Sequence, residues 1–130
     1  MSSPELVHTI TDWYDGAREG VADFRGAPHY FLNEWDEDKG FWTETYFLAP
    51  LDDETFNLSL ENWEIWLRWD RAFKRGQTTQ ETHPALPEDR RRHEELEAIL
   101  KERLVVDTNA GLRATAKFEY GEPTRVVWTE

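Results

Sequence analysis

Residues 59–75 read S-L-E-N-W-E-I-W-L-R-W-D-R-A-F-K-R, and we expect the rest of the chain to pack around this stretch. On a helical wheel of about 100° per residue, its apolar and charged side chains fall on opposite arcs. The apolar arc consists of Leu60, Trp63, Trp66, Leu67, Trp69 and Phe73, and the charged arc of Glu61, Glu64, Arg68, Arg71 and Arg75. The stretch therefore predicts an amphipathic helix with three tryptophans facing inward.

Asp70 is the exception, because it lies near the middle of the tryptophan arc. A carboxylate in that position must be paired or functional, and three interpretations stay open. Asp70 accepts hydrogen bonds from indole N–H groups or from the loop backbone, or it forms an ion pair with Lys74 one turn later. In the third, it lines a pocket with Trp63 and Trp66 that would suit a cationic or sugar-like ligand.

Four short strands are predicted before this helix. Alternating, β-branched and aromatic residues indicate strands at residues 6–14, 19–25, 29–36 and 41–48, joined by turns. Strands connected in this way form an antiparallel meander. Pro50 ends the sheet, acidic residues follow, and Ser59 is the predicted N-cap of the helix.

The residues after this helix indicate a loop, a second helix and a hairpin. Residues 76–87 contain two prolines and no periodicity, and Pro87 then opens the second helix. A short strand is predicted at residues 105–107, followed by strands at residues 112–120 and 125–129. We therefore predict a single α+β domain spanning residues 1–130. It has an antiparallel sheet of about five or six strands, with two helices packed on one face.

Composition limits the classes of function. The 130 residues include no cysteine, which excludes disulfides and thiolate nucleophiles and fits a reducing cytoplasm. No segment approaches the roughly 20 apolar residues of a membrane span, and no export signal is visible, so we expect a cytoplasmic protein without a membrane partner. The formal net charge of −12 disfavours nucleic-acid binding, because it repels phosphate.

Acidic residues are concentrated between residues 34 and 54, where the only base is Lys39. The eight acids are Glu34, Asp36, Glu37, Asp38, Glu44, Asp52, Asp53 and Glu54. They form a solvated surface that keeps the protein soluble, or a face for a basic protein partner, or a mimic of nucleic acid.

A serine or cysteine triad has no plausible nucleophile, because the chain has no cysteine and Ser59 is the only serine beyond the N-terminal pair. No phosphate-binding glycine loop, dinucleotide motif or H-E-x-x-H motif occurs. Asp36-x-Asp38-x-Gly40 resembles a calcium loop, but Phe47 stands where the bidentate glutamate is needed. We therefore predict neither a metal site nor a cofactor.

Five residues remain as candidates for chemistry. Asp12, Asp15 and His29 would form an acid–base or divalent-ion site if the first three strands bring them together. Alternatively, the two aspartates stabilise turns and His29 is partly buried. His83, held extended before Pro84, is a loop anchor or a base oriented by Asp70.

Several motifs resemble those of a family of small, acidic, tryptophan-rich bacterial proteins. They are D-W-Y-D-G at residues 12–16, G-x-P-H at 26–29, T-H-P-A-L-P-E-D at 82–89 and R-H-E-E-L at 92–96. The resemblance implies a bacterial origin and a shared fold, and it implies no activity and no functional residue.

The sequence does not identify an activity. It favours a non-catalytic binding or protein-interaction module that uses an acidic face or an aromatic cleft. One alternative is a small metal-dependent or acid–base enzyme that uses the Asp and His candidates. Another is an acidic inhibitor or immunity-type protein that masks a basic site. The oligomeric state is not predicted.

Overall fold

A computed structural model describes residues 3–130 and divides the chain into two compact units. One unit contains the chain up to Asp52 together with Leu104–Glu130, and the other contains Asp53–Arg103. The first is built from strands and the second from helices. The α+β class is therefore confirmed, whereas the single domain and the packing of the helices on one face of the sheet stay predictions.

The first unit is a barrel of antiparallel strands closed in chain order. Its strands are β1 (Glu5–Trp13), β2 (Ala17–Phe24), β3 (Ala27–Asp36), β4 (Phe41–Pro50), β5 (Leu112–Glu119) and β6 (Arg125–Thr129). Closure comes from β1 and β6, which pair at Glu5 with Val126 and at Leu6 with Arg125. The predicted hairpin does complete the sheet, but it also closes it, because β6 pairs with β1 and so joins the two outer strands of the sheet.

Aromatic side chains fill the interior of the barrel. The ring of Phe31 is fully buried, and its centroid lies 5.9 Å from that of Tyr46, 5.7 Å from that of Phe118 and 6.1 Å from that of Trp128. A barrel of this size is occupied by its own side chains. Other molecules therefore meet this unit at its ends or on its outer surface.

β1 and β2 approach each other so closely that one position admits only glycine. A Cβ atom added to Gly20 would lie 2.1 Å from the carbonyl oxygen of Thr9 and 2.9 Å from Cζ of Phe31. The register of the two strands shifts on either side of this point. Gly20 thus leaves room both for the backbone of β1 and for the ring of Phe31.

The second unit consists of α1 (Asp53–Lys74) and α2 (Arg90–Arg103). The predicted start of the first helix at Ser59 is wrong, since α1 begins six residues earlier with Asp53 and Glu54 in its first turn. Carboxylates there interact favourably with the helix dipole. The Ser59 hydroxyl instead donates to the carbonyl of Thr55 at 2.9 Å, inside the helix.

The segments that flank α2 also differ from the prediction. The predicted loop contains single 3₁₀ turns at Gln80–Thr82 and Pro87–Asp89, so α2 starts after Pro87 rather than at it. The predicted strand at residues 105–107 is wrong: Asp107 accepts backbone hydrogen bonds from Asn109 and Ala110 and so forms a turn. In the described part of the chain, no helix is long and apolar enough to cross a membrane.

Candidate functional site

A cluster of exposed aromatic residues lies at one end of the barrel. In an antiparallel barrel, alternate turns fall at the same end, so the turns β1–β2, β3–β4 and β5–β6 lie together. Aromatic residues flank all three of these turns. We call these aromatic residues the mouth cluster. Its members are Trp13, Tyr14, Trp35, Phe41, Trp42 and Tyr120. All except Trp42 are exposed, with exposed fractions from 44% for Trp35 to 65% for Tyr14.

The mouth cluster is held by contacts with the barrel. The ring centroids of Trp13 and Tyr120 lie 4.9 Å apart in an edge-on arrangement, and those of Trp35 and Trp42 lie 5.0 Å apart. The hydroxyl of Tyr120 accepts a hydrogen bond from the backbone N–H of Ala17 at 2.9 Å. These contacts fix the positions of the Trp13, Trp35, Trp42 and Tyr120 rings relative to the strands.

Arg18 fixes the turn that carries Trp13 and Tyr14. Its Nε donates to the carbonyl of Tyr14 at 2.8 Å, and its Nη1 donates to Oδ1 of Asn33 at 2.9 Å. Its guanidinium carbon also lies 5.3 Å from the centroid of the Trp42 ring. A planar group with several donors can hold a turn and an aromatic ring at once, so Arg18 links the two halves of the mouth cluster.

The eight acids of residues 34–54 lie at two separate places along β4. Glu37 and Asp38 occupy the β3–β4 turn, which Asp36 stabilises by accepting hydrogen bonds from the backbone N–H groups of Asp38 and Lys39. Glu34 and Glu44 lie on the adjoining strands, and Asp52, Asp53 and Glu54 follow the other end of β4. β4 has 10 residues and spans about 30 Å at about 3.3 Å per residue. Five of the acids thus belong to the end that carries the mouth cluster.

The structure does not bring Asp12, Asp15 and His29 together. Asp12 pairs with Glu19 of β2, whereas His29 pairs with Ala22, three residues further along that strand. Two strand spacings and three residue steps separate the Asp12 and His29 Cα atoms by about 14 Å. His29 is buried, and its Nδ1 lies 2.8 Å from the carbonyl oxygen of Ala27. Among residues 3–130, no three His, Asp or Glu side chains are placed to hold a metal ion.

Asp70 forms an ion pair with Lys74, with 2.8 Å between Oδ2 and Nζ. This is one of the three interpretations of Asp70 left open by the sequence. The buried residues of α1 include Ile65, Trp69 and Ala72, so the buried face is centred on Trp69, and Asp70 lies at its margin, about 100° away. The apolar arc predicted from the sequence omits Ile65, which the structure buries, and its centre therefore falls too close to Asp70.

Trp63 and Trp66 stack on each other next to Asp70. Their centroids lie 5.0 Å apart with an angle of 19° between the rings, and both side chains are partly exposed. Because Asp70 follows Trp66 by one helical turn, the three residues share one side of α1. A ligand pocket made by them stays a prediction.

His83 contacts Trp69 rather than Asp70. The His83 ring meets the Trp69 ring edge-on at 4.6 Å between centroids, and the indole N–H donates to Oγ1 of Thr82 at 2.8 Å. Within the part of the chain that the structure covers, no hydrogen bond or ion pair joins His83 to Asp70. These contacts support the role of a loop anchor.

We expect Asp70→Asn to lower the free energy of unfolding by less than about 0.5 kcal/mol, because ion pairs this close to solvent contribute little. The side chain of Lys74 is 73% exposed. Chemical denaturation of the variant, with Lys74→Gln as the matched control, measures the effect. A loss above about 1 kcal/mol for Asp70→Asn alone would mean that the carboxylate has a second partner.

Two polar pairs on the outside of the barrel were not predicted. Nε2 of His8 lies 2.8 Å from Oδ1 of Asp23, and the hydroxyl of the buried Tyr30 donates to Glu19. Burial, together with the bond to Glu19, raises the pKa of Tyr30 above its usual range, so the phenol stays neutral. These pairs depend on the register of β1, β2 and β3, which the sequence does not specify.

Comparisons with protein-family models, with curated proteins and with solved structures found no match to this chain. The resemblance to a bacterial family therefore stays a prediction.

Proposed function

We propose that this protein is a non-catalytic binding protein whose mouth cluster contacts a protein partner through lysine or arginine side chains of that partner. One observation carries the proposal. Of the eight large hydrophobic side chains exposed in the described residues, five belong to the mouth cluster. Exposed aromatic residues gathered at one place are typical of interaction sites, whereas scattered ones are ordinary.

The charge around the mouth cluster supports a basic partner. Asp12 and Asp15 flank Trp13 and Tyr14 in the sequence, and the acidic β3–β4 turn lies between Trp35 and Phe41. Aromatic faces attract cations, and nearby carboxylates strengthen that attraction. The same surface repels the phosphates of a nucleic acid.

The alternatives are supported less well. An enzyme would need convergent acid–base groups, and the separation of Asp12 from His29 works against the site considered for it. An acidic inhibitor would bind a basic enzyme through the mouth cluster and the acidic residues around it. It is therefore a special case of this proposal. A cytoplasmic location remains part of the proposal, supported by the absence of cysteine.

Hexa-arginine amide serves as a probe of the mouth cluster. We expect it to bind, and we expect the double variant Trp13→Ala/Trp35→Ala to bind it at least tenfold more weakly, because the cation–π contacts are lost. Isothermal titration calorimetry measures both affinities. Raising the salt concentration from 50 to 300 mM should weaken wild-type binding, since exposed charges are then screened.

Phe73→Ala is the matched control for this experiment. Phe73 is also an exposed aromatic residue, at 42%, but it lies on α1. Its replacement should leave the affinity for hexa-arginine within twofold of the wild type. Equal losses in the control and the double variant, or no binding of the probe at all, would contradict the proposal.

A further inference from the structure

The barrel has an interruption beside the mouth cluster. β4 and β5 are paired over a short ladder. It begins where Thr45 lies opposite Thr115 and ends where Leu48 lies opposite Leu112. Both strands continue past this ladder towards the mouth, β4 through residues 41–44 and β5 through residues 116–119. Within the described chain, no register pair joins these two segments. β4 and β5 are therefore paired at the end away from the mouth cluster and unpaired at the end beside it.

Each segment beside the opening is held from its other side. β5 pairs with β6 as far as Glu119 opposite Arg125. In β4, Trp42 and Phe41 pair with Trp35 and Asp36 of β3, after a shift in register. At that shift, Nδ2 of the buried Asn33 donates to the carbonyls of Thr43 and Thr45, both at 2.9 Å. Residues 41–44 thus keep a strand conformation with one unpaired edge.

An unpaired strand edge is a template for another strand, because its backbone N–H and C=O groups lack partners. Peptides commonly bind by adding a strand to such an edge, and side-chain pockets beside the edge give specificity. Phe41 and Trp42 supply apolar surface on this strand, and Phe41 is 51% exposed. The edge and the mouth cluster therefore share residues.

We propose that residues 41–44 of β4 bind an extended segment of a basic protein partner as an added antiparallel strand. The inference rests on the proposed function and specifies how the partner is held. The backbone supplies the hydrogen bonds, and the mouth cluster holds side chains of the added strand.

Charge identifies the occupant as a basic segment. Glu44 lies on this segment, Glu37 and Asp38 lie in the adjoining turn, and Glu34 and Asp36 lie on β3, the strand paired with the other side of β4. Opposite charges across paired strands stabilise them, and like charges destabilise them. A second copy of this chain would place two such acidic groups next to each other. A segment that alternates lysine with apolar residues would instead pair its ammonium groups with these carboxylates.

A capped peptide of eight residues that alternates lysine and valine is the probe, and the same peptide N-methylated at every backbone nitrogen is its control. Both carry the same charge, but only the first can donate backbone hydrogen bonds. We expect the unmodified peptide to bind the full chain and the N-methylated peptide to bind at least tenfold more weakly. In amide hydrogen exchange, the unmodified peptide should slow exchange within residues 41–44 and leave α2 unchanged.

The outcomes separate this inference from the proposed function. Equal affinity for the two peptides, without protection of residues 41–44, overturns strand addition. If that binding is still lost in Trp13→Ala/Trp35→Ala, the proposed function stands. Failure of the unmodified peptide to bind at 1 mM also overturns the inference. If residues 41–44 were protected in a dimer that forms without peptide, the strand added at this edge would come from a second copy of the chain. That result would overturn the proposal that the edge binds a basic segment of a partner.

Discussion

Replacing Phe31 with alanine is expected to lower the free energy of unfolding by about 3–5 kcal/mol. The ring of Phe31 is fully buried, and it contacts Tyr46, Phe118 and Trp128. These neighbours are themselves large and held by strands, so they cannot move to fill the space left by the ring. Urea denaturation followed by near-ultraviolet circular dichroism, which reports on the packing of Tyr46 and Trp128, measures the loss.

Phe41→Ala is the control for this substitution. Phe41 is 51% exposed at the mouth of the same barrel, so its replacement removes little buried area. We expect a change below about 1 kcal/mol. Similar losses for the two variants would show that the barrel interior adapts to a missing ring, contrary to the packing described for Phe31.

The second large effect is expected for Gly20→Ala, which should lower the free energy of unfolding by about 2–3 kcal/mol. The added methyl group would lie 2.1 Å from the carbonyl oxygen of Thr9, and that atom belongs to the backbone of β1. A flexible side chain could move aside, but here two strands must separate. The same denaturation experiment measures this loss.

Gly121→Ala is the matched control for Gly20→Ala. An added Cβ at Gly121 has its nearest neighbour, the carbonyl oxygen of Pro123, 4.0 Å away. This variant should therefore differ from the wild type by less than about 0.5 kcal/mol. If Gly20→Ala were as stable as Gly121→Ala, the backbones of β1 and β2 could not approach each other as closely as the structure indicates.

Alternating burial made β5 predictable, whereas β2, β3 and β4 each bury three consecutive residues and were indicated by their β-branched and aromatic composition. In β5, Ala114 is buried and Ala116 and Phe118 are partly buried, whereas Thr115 and Lys117 are exposed, so the alternation is visible in the sequence. Closure of the barrel was not predictable. It depends on the pairing of Glu5 with Val126 across nearly the whole chain, and alternation within a strand carries no information about its neighbours.

The start of α1 was misplaced for a local reason. Phe56 and Leu58 are two residues apart, a spacing that also fits an extended segment, and Ser59 resembles an N-cap. The acidic pair Asp53 and Glu54 was assigned to the approach to the helix rather than to its first turn. A serine whose hydroxyl bonds to the preceding turn cannot be told from a cap by its type alone.

Part of the mouth cluster can be predicted from the sequence. Trp13, Trp35 and Tyr120 each lie close to a predicted turn, and alternate turns of a meander fall at the same end. Together these two features indicate that the three residues lie close to one another. The interruption between β4 and β5 is not predictable in this way, since the alternation within a strand does not indicate where its pairing with a neighbour ends.

The helical unit separates β4 from β5 in the sequence, and this affects how the barrel is made during translation. About 60 residues lie between Pro50 and Leu112, which a ribosome adds in roughly 3–12 s. During that interval the edges of β1 and β4 that later pair with β6 and β5 have no partner strand, and an edge of this kind is prone to pair with other chains. We expect the acidic residues on and beside β4 to oppose such pairing, because like charges on two nascent chains repel each other until β5 and β6 are synthesised.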